Sequence, residues 1–76
     1  MRKCHFKELE LNDQENIVEE LLKNSDFWPQ NTYDIEEKAR RKVLKYIKIN
    51  DCERTKKEWY SWSITESSKG NYENHN

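Results

Sequence analysis

Ile17, Val18, Leu21 and Leu22 fall at i, i+1, i+4 and i+5, a spacing that gathers four aliphatic side chains on one face of a helix. Glu15, Glu19 and Glu20 lie towards its outer side. Asn12 with Glu15 three residues on has the spacing of a capping box, and Asn24-Ser25 offers a stop. The pattern predicts a first helix over 12–24. Before it, Phe6, Leu9 and Leu11 fit neither a period of 2 nor a long helical stripe, so 4–11 reads as a short lead-in with at most one helical turn.

Phe27-Trp28-Pro29 breaks the pattern. Proline disfavours helical geometry at the residue before it, so these aromatics form a corner, and a loop runs on through Gln30-Asn31. A second helix is predicted over 34–49. Asp34 and Glu37 repeat the capping-box spacing, and Ile35, Ala39, Val43, Tyr46 and Ile47 line one face. Lys38, Arg41, Lys45 and Lys48 recur at i, i+3, i+7 and i+10 on roughly the opposite side. Acidic residues at the front and basic ones at the back also suit the helix dipole.

Asn50 and Glu53 offer a third cap, and Cys52, Thr55, Trp59 and Trp62 recur at helical spacing. A third helix is predicted over 51–64. The run 59–65 is also rich in residues that favour strands, but only the weak lead-in offers such a strand a partner. From Glu66 the chain is polar with little to bury, and 66–76 reads as a disordered tail. The expected architecture is all-α: one domain over 1–65, a three- to four-helix bundle, then the tail.

Composition supports that class. With one Gly and one Pro in 76 residues, the chain lacks the frequent turn residues of sandwiches, barrels and hairpins. Only 33% of residues are hydrophobic and 38% are charged, so a core this small must lean on its aromatics. Cys4 and Cys52 make no disulfide framework and read as free thiols. No stretch approaches the ~20 apolar residues of a membrane span, and the first residues lack the apolar run of a leader. The expected state is a soluble cytoplasmic monomer without membrane contact.

Charge is the most uneven property. The net charge is −1 overall, yet residues 38–57 hold nine basic groups against Asp51 and Glu53, a net of +7. Phosphate backbones attract such a surface through counterion release, and a basic stripe along a helix is the electrostatic footprint of a nucleic-acid module. The candidate phosphate contacts are Lys38, Arg41, Lys45 and Lys48, supported by Arg54, Lys56 and Lys57. Trp59, Tyr60 or Trp62 would stack on exposed bases if any faces outward. The bland alternative is a solvated helix face. A second functional reading is a regulator that meets a protein partner through the acidic first helix or an exposed Trp28.

The parts of an active site are few. His5 and His75 are the only imidazoles, and Gly70 is no phosphate cradle. The expectation is a non-enzymatic binding module with no cofactor. Cys4, His5, Cys52 and His75 suit zinc by type, but their spacing matches no knuckle or finger, so no metal is expected.

Glu36-Glu37-Lys38 and Trp59-Tyr60-Ser61-Trp62, with abundant Asn and Lys and alanine only at Ala39, resemble small early proteins of T4-like phages. Within that group the chain is most similar to the small accessory reading frame beside the recombination helicase UvsW. The resemblance implies a helical bundle like the accessory nucleic-acid-binding module of RecQ-type helicases. It further implies a role near replication, recombination or repair in the host cell cytoplasm, with single-stranded or branched DNA, or a protein such as a helicase, as partner.

Overall fold

The fold is described from a computed structural model, for residues 2–29 and 33–69. These residues form a small bundle of three helices: α1 (Leu11–Leu21), α2 (Ile35–Ile49) and α3 (Lys56–Ser67). Short 3-10 turns at Phe6–Glu8 and Ser25–Phe27 precede α1 and α2. Among the described residues there is no strand, only an isolated antiparallel bridge between Cys4 and Arg54.

Both predicted aliphatic seams become the core. Ile17, Val18, Leu21 and Leu22 from the first meet Ala39, Val43 and Ile47 from the second, with Leu9 and a fully buried Trp59 completing the cluster. α1 and α3 run parallel. Asp13 accepts from the Tyr60 hydroxyl near their starts, and Glu20 accepts from Ser67 Oγ near their ends. Ile35 departs from its predicted place. It sits at the first position of α2, before the helix reaches the bundle, and is 39% exposed.

None of the three expected caps forms. α1 begins one residue early, at Leu11, so Asn12 lies inside it, and its cap residue Glu10 makes no side-chain bond. The Gln14 amide instead donates to the carbonyls of Phe6, Lys7 and Leu9, stitching the lead-in to the helix. α1 also stops at Leu21 rather than 24, because Asn24 is used elsewhere. Its Oδ1 accepts from the Asp26 backbone N–H, and its Nδ2 donates to the Glu66 carbonyl. At α2, Asp34 takes a left-handed backbone (φ 55°) and makes no side-chain cap, a conformation that short polar residues tolerate better than most.

The third helix shifts most. Residues 51–55 are not helical, because the expected cap residue Asn50 and its neighbour Asp51 are committed elsewhere. Asn50 Nδ2 donates to the Tyr46 carbonyl at the end of α2, and Asp51 Oδ1 accepts from the Phe6 backbone N–H. Reciprocal Cys4–Arg54 backbone bonds of 2.8 and 3.0 Å then hold the segment extended. α3 starts only at the next cap signal. Thr55 Oγ1 accepts from the Glu58 N–H and Glu58 accepts from the Thr55 N–H, a complete capping box.

At its far end α3 runs past the predicted stop. Glu66 and Ser67, expected in the tail, are helical and buried. Their polar groups are the reason: Glu66 takes the Tyr46 hydroxyl and the Lys69 ammonium, and Ser67 reaches Glu20. The rest of the expected tail, 70–76, and part of the loop, 30–32, lie outside the described residues.

Candidate functional site

α2 carries the candidate site because its two faces are so unlike. A residue turns about 100° from its neighbour in a helix and rises about 1.5 Å. Ala39, Val43 and Ile47 therefore share the buried side, and Lys38, Arg41, Lys42, Lys45 and Lys48 spread over the far side, all exposed. The predicted stripe Lys38, Arg41, Lys45, Lys48 is thus one ridge with about one cation per turn. Arg41 is paired with Glu37 on the same helix at 3.0 Å. Lys38, Lys42, Lys45 and Lys48 have no ion pair among the described residues. Pairs as exposed as Arg41–Glu37 are worth little, so that guanidinium stays available to another anion.

Arg40 is set apart from the ridge. It crosses to α1, where its two terminal nitrogens each donate to Glu15 at 3.0 Å, and Glu19 lies 3.5 Å away. The Arg40 hydrogen bond holds the Glu15 carboxyl below its ordinary value.

The supporting cations do not join the ridge. Arg54 stacks its guanidinium over Trp59 and Trp62, 4.4 and 4.7 Å from the ring centroids, and donates to the Asn50 carbonyl. The Cys4 bridge and the burial of Trp59 draw it inward, where it is half-buried. Lys56 leans towards Asp13, 3.5 Å away. Lys57 is exposed and has no ion pair among the described residues, but it lies on α3 rather than α2.

The α3 aromatics are likewise occupied. Trp59 is fully buried, with its indole N–H donating to the Cys4 carbonyl. The Tyr60 hydroxyl donates to Asp13 and accepts from Asn16. Trp62 is stacked on Tyr46 at 6.0 Å and covered by Arg54. Trp59 thus offers no open stacking face, while Tyr60 and Trp62 are half-buried.

The acidic first helix and Trp28 also differ from their expected roles. Glu15 and Glu19 face Arg40, and Glu20 takes Lys23 and Ser67. Trp28 is half-buried and donates its indole N–H to the Leu22 carbonyl at 2.6 Å. Trp28 is engaged inside the molecule, whereas Glu15 and Glu19 stay exposed beside Arg40.

One aromatic that the sequence pattern left unassigned does reach the surface. Phe6 is half-buried and packs edge-on against Trp59 at 5.5 Å. It lines an open pocket of about 300 Å³ with Lys7, Leu44, Ile47, Lys48 and Asp51. No period contained Phe6; its place is fixed by Trp59, 53 residues away in sequence, and by Asp51, which accepts from its backbone N–H.

Among the described residues no cluster of three or more His, Cys, Asp or Glu side chains could hold a metal ion. Cys4 is half-buried, Cys52 is exposed, and both are free thiols. No described helix is long and apolar enough to cross a membrane. No protein-family model, curated protein or solved structure matches the chain.

Proposed function

We propose that this protein is a non-enzymatic module that binds the phosphate backbone of nucleic acid along the outer face of α2. The observation that carries this reading is the ridge itself. Lys38, Lys42, Lys45 and Lys48 stand exposed on one face without carboxylate partners among the described residues. Arg41 beside them is held only by an exposed neighbour on its own helix. A surface of this kind gains free energy by releasing counterions from phosphates. The resemblance to small phage proteins beside a recombination helicase favours DNA in branched or single-stranded form, and a role near replication, recombination or repair.

A protein-binding regulator is the weaker reading, because Arg40 partly neutralises Glu15 and Glu19, and Trp28 is half-buried with its indole N–H bonded to Leu22. The test is a gel-shift titration of single-stranded, duplex and branched DNA against the double variant Arg41→Glu, Lys45→Glu. Both positions are exposed, so helicity by circular dichroism should hold while binding is lost. Unchanged binding would remove α2 as the interface.

A further inference from the structure

The pocket formed by Phe6, Lys7, Leu44, Ile47, Lys48 and Asp51 opens at the end of the ridge, and Lys48 belongs to both. Phe6, Leu44 and Ile47 give it apolar wall, and Lys7, Lys48 and Asp51 its charged groups. A second open groove lies next to it, lined by Leu11 and Val18 among others, and it shares Phe6 and Leu44 with the pocket. Leu44 is 46% exposed and Leu11 81%. Apolar surface therefore meets water beside the cation ridge. The pocket is held in shape: Trp59 packs on Phe6, the Phe6 N–H donates to Asp51 at 3.1 Å, and His5 Nδ1 lies 3.4 Å from the same carboxylate.

Resting on the phosphate-binding reading above, we infer that this pocket takes one unpaired nucleobase of a single strand whose phosphates run along Lys38–Lys48. Three features select that occupant. The volume lies at the lower end of small-ligand pockets, enough for a base. Lys7 and Lys48 line the pocket alongside Asp51, so the phosphates can stay with the lysines while the neutral base meets Phe6, Leu44 and Ile47. Phe6 gives an aromatic wall of the kind on which bases stack in sequence-tolerant single-strand binders. A base inside a duplex is stacked and paired, and cannot turn into the pocket without being unstacked.

The test is fluorescence anisotropy with a labelled oligothymidylate, an abasic strand of the same length, and the matching duplex. One base on an aromatic platform is worth about 1–3 kcal/mol, so the oligothymidylate should bind roughly 5- to 150-fold more tightly than the abasic strand. It should also bind more tightly than the duplex. Leu44→Gln puts a polar group at the mouth without changing charge. At this half-exposed position the fold should persist by circular dichroism. That variant should shrink the base-dependent difference and leave abasic affinity unchanged. Equal affinity for the abasic strand and the oligothymidylate would overturn the inference, as would a difference that survives Leu44→Gln. So would a labelled acidic amphipathic peptide that binds more tightly than the strand and loses that binding in Leu44→Gln. The Arg41→Glu, Lys45→Glu variant separates the two levels. If it abolishes binding while base and abasic strands bind alike, only the pocket fails. If it leaves binding intact, the ridge reading fails and the pocket falls with it.

Discussion

Glu66 closes the bundle from a position that its polar surroundings in sequence do not advertise, and replacing it tests how α3 is held. Its carboxylate accepts from the Tyr46 hydroxyl and pairs with Lys69 at 2.9 Å, and the residue is 7% exposed. A hydrogen bond to a charged group contributes about 1.5–3 kcal/mol. Lys69 is exposed and adds little. The Asn24 bond goes to the Glu66 backbone carbonyl and survives a side-chain change. Glu66→Ala should therefore destabilise the protein by about 2 kcal/mol, or roughly 8–16 °C in Tm for a domain of this size.

The pH dependence of the same bond has a definite sign at each end. Burial pushes the Glu66 carboxyl up, but the Tyr46 and Lys69 hydrogen bonds outweigh it and hold the group below its ordinary 4.5. Its contribution is present above that value and is lost as pH falls through the lowered one. Tyr46 is pushed up from 10.0 to about 12, first by the Glu66 hydrogen bond and then by burial. Its contribution is complete below pH 10 and fades between pH 10 and about 12. Urea denaturation followed by tryptophan fluorescence, at pH 7, 3 and 11, measures both ends. Glu66→Gln should flatten the acid loss and Tyr46→Phe the alkaline loss. A Glu66→Ala cost below about 0.5 kcal/mol at pH 7 would refute the reasoning, since surface changes of no structural consequence fall in that range.

Two further perturbations probe how the helices are set. Thr55→Ala removes the side-chain half of the α3 capping box and should cost about 1 kcal/mol, read as a lower urea midpoint with unchanged slope. Arg40→Ala breaks the bidentate contact between α2 and α1, but Glu15 is half exposed. The loss should stay below about 1 kcal/mol, and a larger loss by the same denaturation would mean that the contact does more than an exposed pair.

Helices α1 and α2 were legible because aliphatic periodicity marks them and their seams became the core. The ridge was legible for the same reason: once Ala39, Val43 and Ile47 are fixed inside, Lys38, Lys45 and Lys48 must point out. α3 starts later than predicted because the cap spacing of Asn50–Glu53 recurs at Thr55–Glu58. The choice between them is made by long-range partners, Phe6 on Asp51 and Cys4 on Arg54. Glu66 and Ser67 looked like tail because polar residues buried by polar partners carry no hydrophobic signal. Arg54 was counted with the ridge on charge alone, and the two indoles that turn it inward lie on the next helix.

The salt dependence of single-strand binding tests the ridge most directly. Each phosphate neutralised contributes about −0.7 to the slope of log affinity against log salt on a single strand. Contacts from Lys38, Lys42, Lys45 and Lys48 therefore predict a slope near −3, or about a 50-fold loss of affinity between 50 and 200 mM salt. Lys45→Ala should make that slope shallower by about 0.7. A slope near zero, or one that Lys45→Ala leaves unchanged, would contradict the account.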